Sequence, residues 1–329
     1  MKKIHKRLLT ILVVLVVLAA AILITMKISG AHRSDPSEII QYETTNPLIT
    51  GETAYIAHRI GAGVMPEESL MAMKYWISHP EVRIDMYEFD LRMTADGQLV
   101  LFHNKDLDRT TDSAAVYGQE GFLVVDKTVE ELKKLNMGAK FTDAEGNMPY
   151  ANLTEVPDDL RILTLTEALD YLTSVGIKNF CIEIKDEGEL GMKGVDLLYA
   201  ELKERGLLET TIFSSFKSDV SAYAGETYPD MLRSNTDAQA IAFYLAAITG
   251  KKNYEPPCDV FQLPFTDKYL NMGINFGTAK VINYAHSHNI AIQFWTVNDP
   301  ERMEYLESLG VDGIMTDYPD LMDEVLGDE

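Results

Sequence analysis

From residue 53 to the C-terminal end, short apolar runs alternate with amphipathic stretches, and this alternation constrains the fold more than any other feature. The apolar runs cover residues 54–57, 84–91, 99–103, 180–184, 211–214, 231–234, 260–263, 291–297 and 313–315. Helical patterns lie between most of them, at 67–77, 129–135, 165–175, 195–205, 238–248, 278–288 and 300–309. Strands alternating with helices imply parallel strands with helical crossovers. A closed barrel of that kind takes about 250 residues, the length available here. The expected fold is therefore α/β, a (β/α)8 TIM barrel over residues 51–329. Nine runs compete for eight staves, so one is expected outside the barrel. Residues 90–99 are too few for a helical crossover, and Asp96-Gly97 signals a tight turn. The link from 103 to 180 is far too long, so an insertion after the third strand is expected, with one or two helices and an irregular stretch around 142–159. No internal repeat is visible.

The N-terminal region reads differently. Residues 8–26 carry no charge, and as a helix they would span roughly 28 Å, close to the hydrocarbon thickness of a bilayer. Lys2, Lys3, Lys6 and Arg7 precede this run. The positive-inside rule then makes 1–7 a cytoplasmic flank and 8–26 a single-pass transmembrane anchor, followed by a linker at 27–50 and the barrel outside the cytoplasm. The competing reading is a cleaved signal peptide, with Ser29-Gly30-Ala31 as the cleavage site. No cysteine follows the run, which argues against a lipoprotein anchor. With 51 Asp and Glu against 29 Lys and Arg, the net charge is −22. Such a surface repels nucleic acid and anionic headgroups, so an anionic substrate needs a local cationic site. Cys181 and Cys258 are the only cysteines, and no disulfide is indicated.

Chemistry-bearing residues gather at the ends of the apolar runs. In the run 84–91, Glu88 and Asp90 share one face with Ile84 and Met86. Two such carboxylates either hold a hard divalent cation or lie exposed on an edge strand. Cys181, Glu183 and Lys185 share a face in the same way. Glu183 is then a third metal ligand and Lys185 a phosphate contact, or the two form a plain ion pair. His58 and His103 each end a strand, where active sites of α/β barrels lie. They suit a general acid and base, or are structural. Trp295 forms either a wall against a small polyol or part of the core. His5, His32, His79, His286 and His288 lie on the tether, the anchor flank or helix surfaces and receive no role.

In order along the chain stand Ala57-His58-Arg59, Pro66-Glu67, Glu88-Phe89-Asp90, Asp96-Gly97, Phe102-His103, Leu107-Asp108-Arg109-Thr110-Thr111, Ile182-Glu183-Ile184-Lys185, Ser215-Phe216, Trp295-Thr296-Val297-Asn298 and Gly310-Val311-Asp312-Gly313. This ordered set resembles the glycerophosphodiester phosphodiesterase family over residues 53–322. The resemblance implies a barrel of the phosphoinositide phospholipase C-like type and cleavage of a glycerophosphodiester to glycerol 3-phosphate and an alcohol. It implies that Glu88, Asp90 and Glu183 hold Ca²⁺ or Mg²⁺, that His58 and His103 are acid and base, that Arg59 and Lys185 contact phosphate, and that Trp295 lines the glycerol site. Three residues depart from the family pattern. Ile60 replaces a glycine, Glu68-Ser69 replaces Asn-Thr, and Asn104 replaces an aspartate. The expected partners are a small glycerophosphodiester or a lipid-derived substrate, and the membrane through the N-terminal helix, with no nucleic acid. A lysophospholipid, a glycerophosphate polymer of the envelope, and a non-catalytic tethered binding module are the alternatives.

Overall fold

A computed structural model describes residues 33–266 and 274–327. The expected anchor, 8–26, lies outside the described residues; among these, no helix is long and apolar enough to cross a membrane. The strands are β1 (Ala54–Ala57), β2 (Met86–Met93), β3 (Leu99–Leu101), β4 (Phe180–Ile184), β5 (Thr211–Ser214), β6 (Leu232–Arg233), β7 (Val260–Pro264), β8 (Ala291–Trp295) and β9 (Gly313–Thr316). Eight of them run parallel in the order β6-β5-β4-β2-β1-β9-β8-β7. Between β6 and β7 the ladder gives way to single bonds. Asp259 N–H donates to the Arg233 carbonyl at 2.9 Å, and Gln262 N–H to Asn235 Oδ1 at 2.7 Å. The sheet is thus a nearly closed barrel.

The ninth run is β3. Thr94-Ala95-Asp96-Gly97 closes a tight turn, with Gly97 in the left-handed region at φ 76° and its N–H donating to the Thr94 carbonyl at 3.0 Å. So short a link reverses the chain, and β3 pairs antiparallel with Leu91–Met93 at the C-terminal end of β2. Residues 102–163 then form the expected insertion. It carries two short helices, α2 (Ser113–Tyr117) and α3 (Val129–Leu132), over a small core that includes Phe102, Leu107, Leu132 and Ile162. Residues 142–157 are irregular.

The outer helices are α1 (Leu70–Ile77), α4 (Leu165–Ser174), α5 (Gly188–Arg205), α6 (Ser218–Thr227), α7 (Asp237–Thr249), α8 (Ala279–Ser287), α9 (Pro300–Ser308) and α10 (Pro319–Leu326). Thr164 with Glu167, and Thr236 with Gln239, close capping boxes on α4 and α7. Sequence periodicity misses α6 and α10 and starts α5 seven residues late. Glycines 188, 191 and 194 hide the first two turns of α5 from a propensity reading. At Gly191 the glycine is required by contact, since a Cβ would stand 2.5 Å from the Asp186 carbonyl oxygen and from Val220 on α6.

Strand alternation divides the core. Ile182 and Ile184 face the helices with Phe89 and Leu91. Cys181 faces the barrel interior with Ile56, Met86, Ile212, Val260, Ala291 and Met315. The expected linker is not a free tether where it is described. Asn46 is buried, and its Nδ2 donates to the carbonyls of Asp259 (2.7 Å) and Asn289 (3.1 Å), while its Oδ1 accepts from Leu48 N–H at 2.9 Å. Asn46→Ala should lower stability by about 2 kcal/mol, because it strands these groups near the base of the barrel. Chemical denaturation of the full chain measures this.

Candidate active site

At the C-terminal end of β1 the chain turns sharply. Arg59, Ile60 and Gly61 are all left-handed, at φ 46°, 65° and 80°. The turn is fixed by Arg59 N–H donating to Glu88 Oε2 at 2.7 Å and by Trp76 Nε1–H donating to the Ile60 carbonyl at 2.7 Å. The family pattern has glycine where Ile60 stands, and the backbone keeps the path that glycine permits. A fully buried isoleucine there carries strain on the order of 1–2 kcal/mol.

Above the barrel interior lies a cavity of about 290 Å³. It is lined by His58, Arg59, Glu88, Asp90, His103, Glu183, Lys185 and Trp295, together with Cys181, Ser214, Phe216, Gln262, Thr296 and Met315. All eight residues singled out in the sequence therefore meet in one place. The β2–β4 register sets Glu88 beside Cys181 and Asp90 beside Glu183, which brings the three carboxylates together on the inner face. β3 supplies His103, because Phe102 N–H donates to the Asp90 carbonyl at 2.9 Å and draws the next residue to the mouth.

The protein's own cations sit among these acids. Lys185 Nζ lies 3.2 Å from Asp90 Oδ1 and 3.1 Å from Glu183 Oε2. Arg59 Nε lies 3.5 Å from Asp90 Oδ2, and its Nη1 is 3.5 Å from Glu67 Oε2. Burial pushes Asp90 up, but Lys185, His103 and Arg59 outweigh it and hold its carboxyl at about 2. Burial raises Glu88 to about 7, helped by the neighbouring Asp90. Burial raises Glu183 to about 7 despite Lys185. Among the described residues, no group of three or more carboxylates, imidazoles or thiols is arranged as a finished metal site. The donor chemistry nonetheless fits a hard cation. With Glu67 paired to Arg109, Glu68, Glu88, Asp90 and Glu183 still outnumber Arg59 and Lys185, and buried Asp90 Oδ2 has no hydrogen-bond donor.

The imidazoles are held in contrasting ways. His58 Nδ1 is 2.6 Å from Asp317 Oδ1, and Asn298 Nδ2 donates to the other Asp317 oxygen at 2.7 Å. Burial pulls His58 down, but the Asp317 hydrogen bond and the charge of Glu88 prevail and raise its pKa. His103 Nδ1 is 2.9 Å from Asn104 Oδ1, an oxygen that also accepts from Arg109 Nε at 2.7 Å. An amide oxygen only accepts, so Nδ1 of His103 bears the proton and Nε2 is left bare. Burial, with Lys185 and Arg59 nearby, lowers His103 to about 4 against the pull of Asp90.

Sequence reasoning misses Asp317, Asn298 and Phe216 as parts of the site. Asp317 follows β9 directly, so the strand-end rule that selects His58 would have found it. Asn298 and Phe216 stand in the motifs already quoted. Trp295 packs against the interior cluster and also lines the cavity, with the Phe216 ring 5.6 Å away.

Glu68 stands out in the sequence as a further carboxylate able to affect metal affinity, and the structure sets it against Asp90. It is fully buried, its Oε1 accepts from Asp90 N–H at 2.7 Å, and its Oε2 has no partner. Burial, with Asp90 and Glu67 nearby, raises its pKa well above 4.5. A carboxyl raised on folding withdraws stability as pH climbs from its unfolded to its folded value. Glu68→Gln keeps the acceptor and removes the ionisation. In chelator, its thermal midpoint should exceed the parent's at pH 8 and match it at pH 4; a lower midpoint at pH 8 would show that the charge itself stabilises the fold.

Comparison with known proteins gives a consistent result. The model of the glycerophosphoryl diester phosphodiesterase family matches residues 58–321. A glycerophosphodiester phosphodiesterase of Caldanaerobacter subterraneus subsp. tengcongensis is 28% identical over 274 residues, 82% of this chain and 96% of its own. A lysophospholipase D of Mus musculus is 22% identical over 281 residues, 80% of this chain and 78% of its own. An Oleispira antarctica phosphodiesterase, solved with the product sn-glycerol-3-phosphate, has the same fold, with a TM-score of 0.61 and 22% identity over 85% of this chain and 99% of its own. The family match spans most of the chain and bears out the resemblance seen in the ordered motifs: this chain belongs to the glycerophosphoryl diester phosphodiesterase family.

Proposed function

We propose that the chain hydrolyses glycerophosphodiesters to glycerol 3-phosphate and an alcohol, outside the cytoplasm and tethered by residues 8–26. One observation carries the reading. Two differently tuned imidazoles, three carboxylates and two cations line a single cavity at the C-terminal ends of the strands.

Arg59 and Lys185 bind the phosphate and offset its charge as the diester is attacked. One imidazole takes the proton of the attacking hydroxyl and the other protonates the departing alkoxide. Asp317 makes His58 the imidazole that carries positive charge more readily, and Asn104 keeps His103 in the tautomer with a bare Nε2. The Trp295 and Phe216 rings form an apolar wall for the glycerol carbons. Glu88, Asp90 and Glu183 would hold Ca²⁺ or Mg²⁺, which supplies Lewis-acid stabilisation of the phosphoryl oxygens when bound. Arg59 Nε, Asp90 Oδ2 and Trp295 Nε1 are all buried without a hydrogen-bond partner, and a phosphodiester with its cation would give such groups partners. A second reading, a lysophospholipid as substrate, draws on the lysophospholipase D relative and the tether. The non-catalytic alternative has only Ile60, Glu68 and Asn104 behind it, and each of these fits the site without displacing a proposed catalytic group.

Purified protein is expected to release glycerol 3-phosphate from glycerophosphocholine, and chelator to abolish the release. His58→Ala and His103→Ala should each cost about 10³-fold in kcat; unchanged turnover in both would remove this mechanism.

Stability offers a separate test of the cation. Glu88 and Glu183 ionise at about 7 when folded, against an ordinary 4.5. Below pH 4.5 both states are protonated. Between 4.5 and 7 the unfolded chain has lost protons that the folded chain keeps, so stability falls across that window. The thermal midpoint in chelator should decline from pH 5 to pH 7.5. Ca²⁺ or Mg²⁺ should restore it at pH 7.5 and do little at pH 5, whereas indifference to both ions at pH 7.5 would exclude the metal.

A further inference from the structure

Residues 33–46 descend the outside of the barrel from its catalytic end to its base. Ser34 N–H donates to Tyr305 OH at 2.9 Å. Ser34 Oγ accepts at 2.9 Å from the N–H of Ala279, the first residue of α8, and the Arg33 guanidinium lies 5.1 Å from the Tyr305 ring centroid. Because α8 follows β7, its first turn stands at the level of the strand C-termini. Phe265, just after β7, stacks on Tyr305 and donates its N–H to the carbonyl of Trp295 in the cavity wall at 3.1 Å. Midway down α8, Asn283 accepts from Ile40 N–H and donates to the Glu38 carbonyl, both at 2.8 Å. Past the last turn, Asn289 Oδ1 accepts from Thr45 and Asn46 N–H at 2.7 and 3.0 Å. Asn46 then reaches the carbonyl of Asp259, the residue before β7. The chain therefore joins the barrel at the catalytic rim, runs to the base and turns up into β1.

Seven Cα–Cα steps separate Met26, the last residue of the apolar run, from Arg33. Fully extended they reach about 25 Å. The barrel is about as tall as the eighteen-residue α5, roughly 27 Å. Attachment at the rim keeps the cavity mouth within tether reach of the headgroup layer, and attachment at the base would set it a barrel height further away. A net charge of −22 gives the domain no electrostatic adhesion to an anionic leaflet, so the docked strap is left to set its orientation.

We infer that the strap holds the catalytic mouth toward the bilayer, and that it thereby favours a lysophospholipid resident in that bilayer over the soluble diesters that the same site hydrolyses. The inference rests on the tethered-diesterase reading above. Water adds across the bond between phosphorus and the headgroup oxygen. Its hydroxyl goes to phosphorus and its proton to the headgroup alcohol, which departs into water while the acylated glycerol phosphate stays in the membrane. The acyl chain then has no need to enter the cavity.

The test uses the full chain in phosphatidylcholine vesicles. Cys181 and Cys258 are buried, so a dye can be placed on Glu301→Cys, in the first turn of α9 at the catalytic end, or on Glu209→Cys, before β5 at the base. Energy transfer to acceptor-labelled headgroups is expected to be stronger from position 301; equal or reversed transfer would overturn the orientation, whatever the activity. In the second arm, a Gly-Ser insertion of about 20 residues after Ile28 lengthens the tether. Turnover of soluble glycerophosphocholine should be unchanged, while turnover of vesicle lysophosphatidylcholine should fall at least about five-fold. An unchanged ratio, or preference for a membrane-anchored glycerophosphate polymer, would overturn the lipid assignment. No turnover of any diester by the parent would sink the diesterase reading and leave the dye comparison to judge orientation. Failure of the parent to float with vesicles would sink the anchor and this inference together.

Discussion

The site depends on a charge imbalance that the β2–β4 register forces. Pairing Asp90 with Glu183 and Glu88 with Cys181 sets three carboxylates on one buried face, where mutual repulsion and lost hydration oppose ionisation. The chain resolves this unevenly. Lys185 and Arg59 both reach Asp90 and hold it ionised, while Glu88 and Glu183 remain near 7. A site in that condition has the donor chemistry that the proposed cation would need.

The surroundings bear the cost of this arrangement. Ile60 occupies a glycine-like backbone conformation, Glu68 is buried with one oxygen unmatched, and Arg59 Nε, Asp90 Oδ2 and Trp295 Nε1 lack hydrogen-bond partners. Strain and unmatched polarity concentrate where a protein must bind or react, since elsewhere nothing would maintain them. The departures from the family pattern have local accounts. Asn104 gives His103 a fixed neutral tautomer, and Glu68 gives the Asp90 amide an acceptor that β1, ending at Ala57, does not provide.

Much of this was legible in the chain. Period-two alternation placed Glu88, Asp90, Glu183 and Lys185 on inward faces, and the position of His58, His103 and Trp295 at run ends placed them at the mouth. Propensity failed where glycine-rich or weakly amphipathic segments fold into helices only because the barrel gives them a surface, as in α6 and the first turns of α5. It failed also at 33–50, whose polar sequence reads as a linker until Asn283 and Asn289 of a distant segment are brought alongside.

The sequence by itself determined which side chains share a face and which end their strands, because those relations are set by local backbone geometry. It determined too that one of nine runs could not be a stave, since the Asp96-Gly97 link leaves no room for a crossover. Tertiary structure decided the pairings between residues far apart in the chain. Among them are Asp317 on His58, 259 residues away, Arg109 on Glu67, 42 residues away, and Ser34 on Tyr305 at the catalytic rim. Those contacts follow from barrel closure and helix docking, which sum the packing of the whole domain and are written in no single stretch of it.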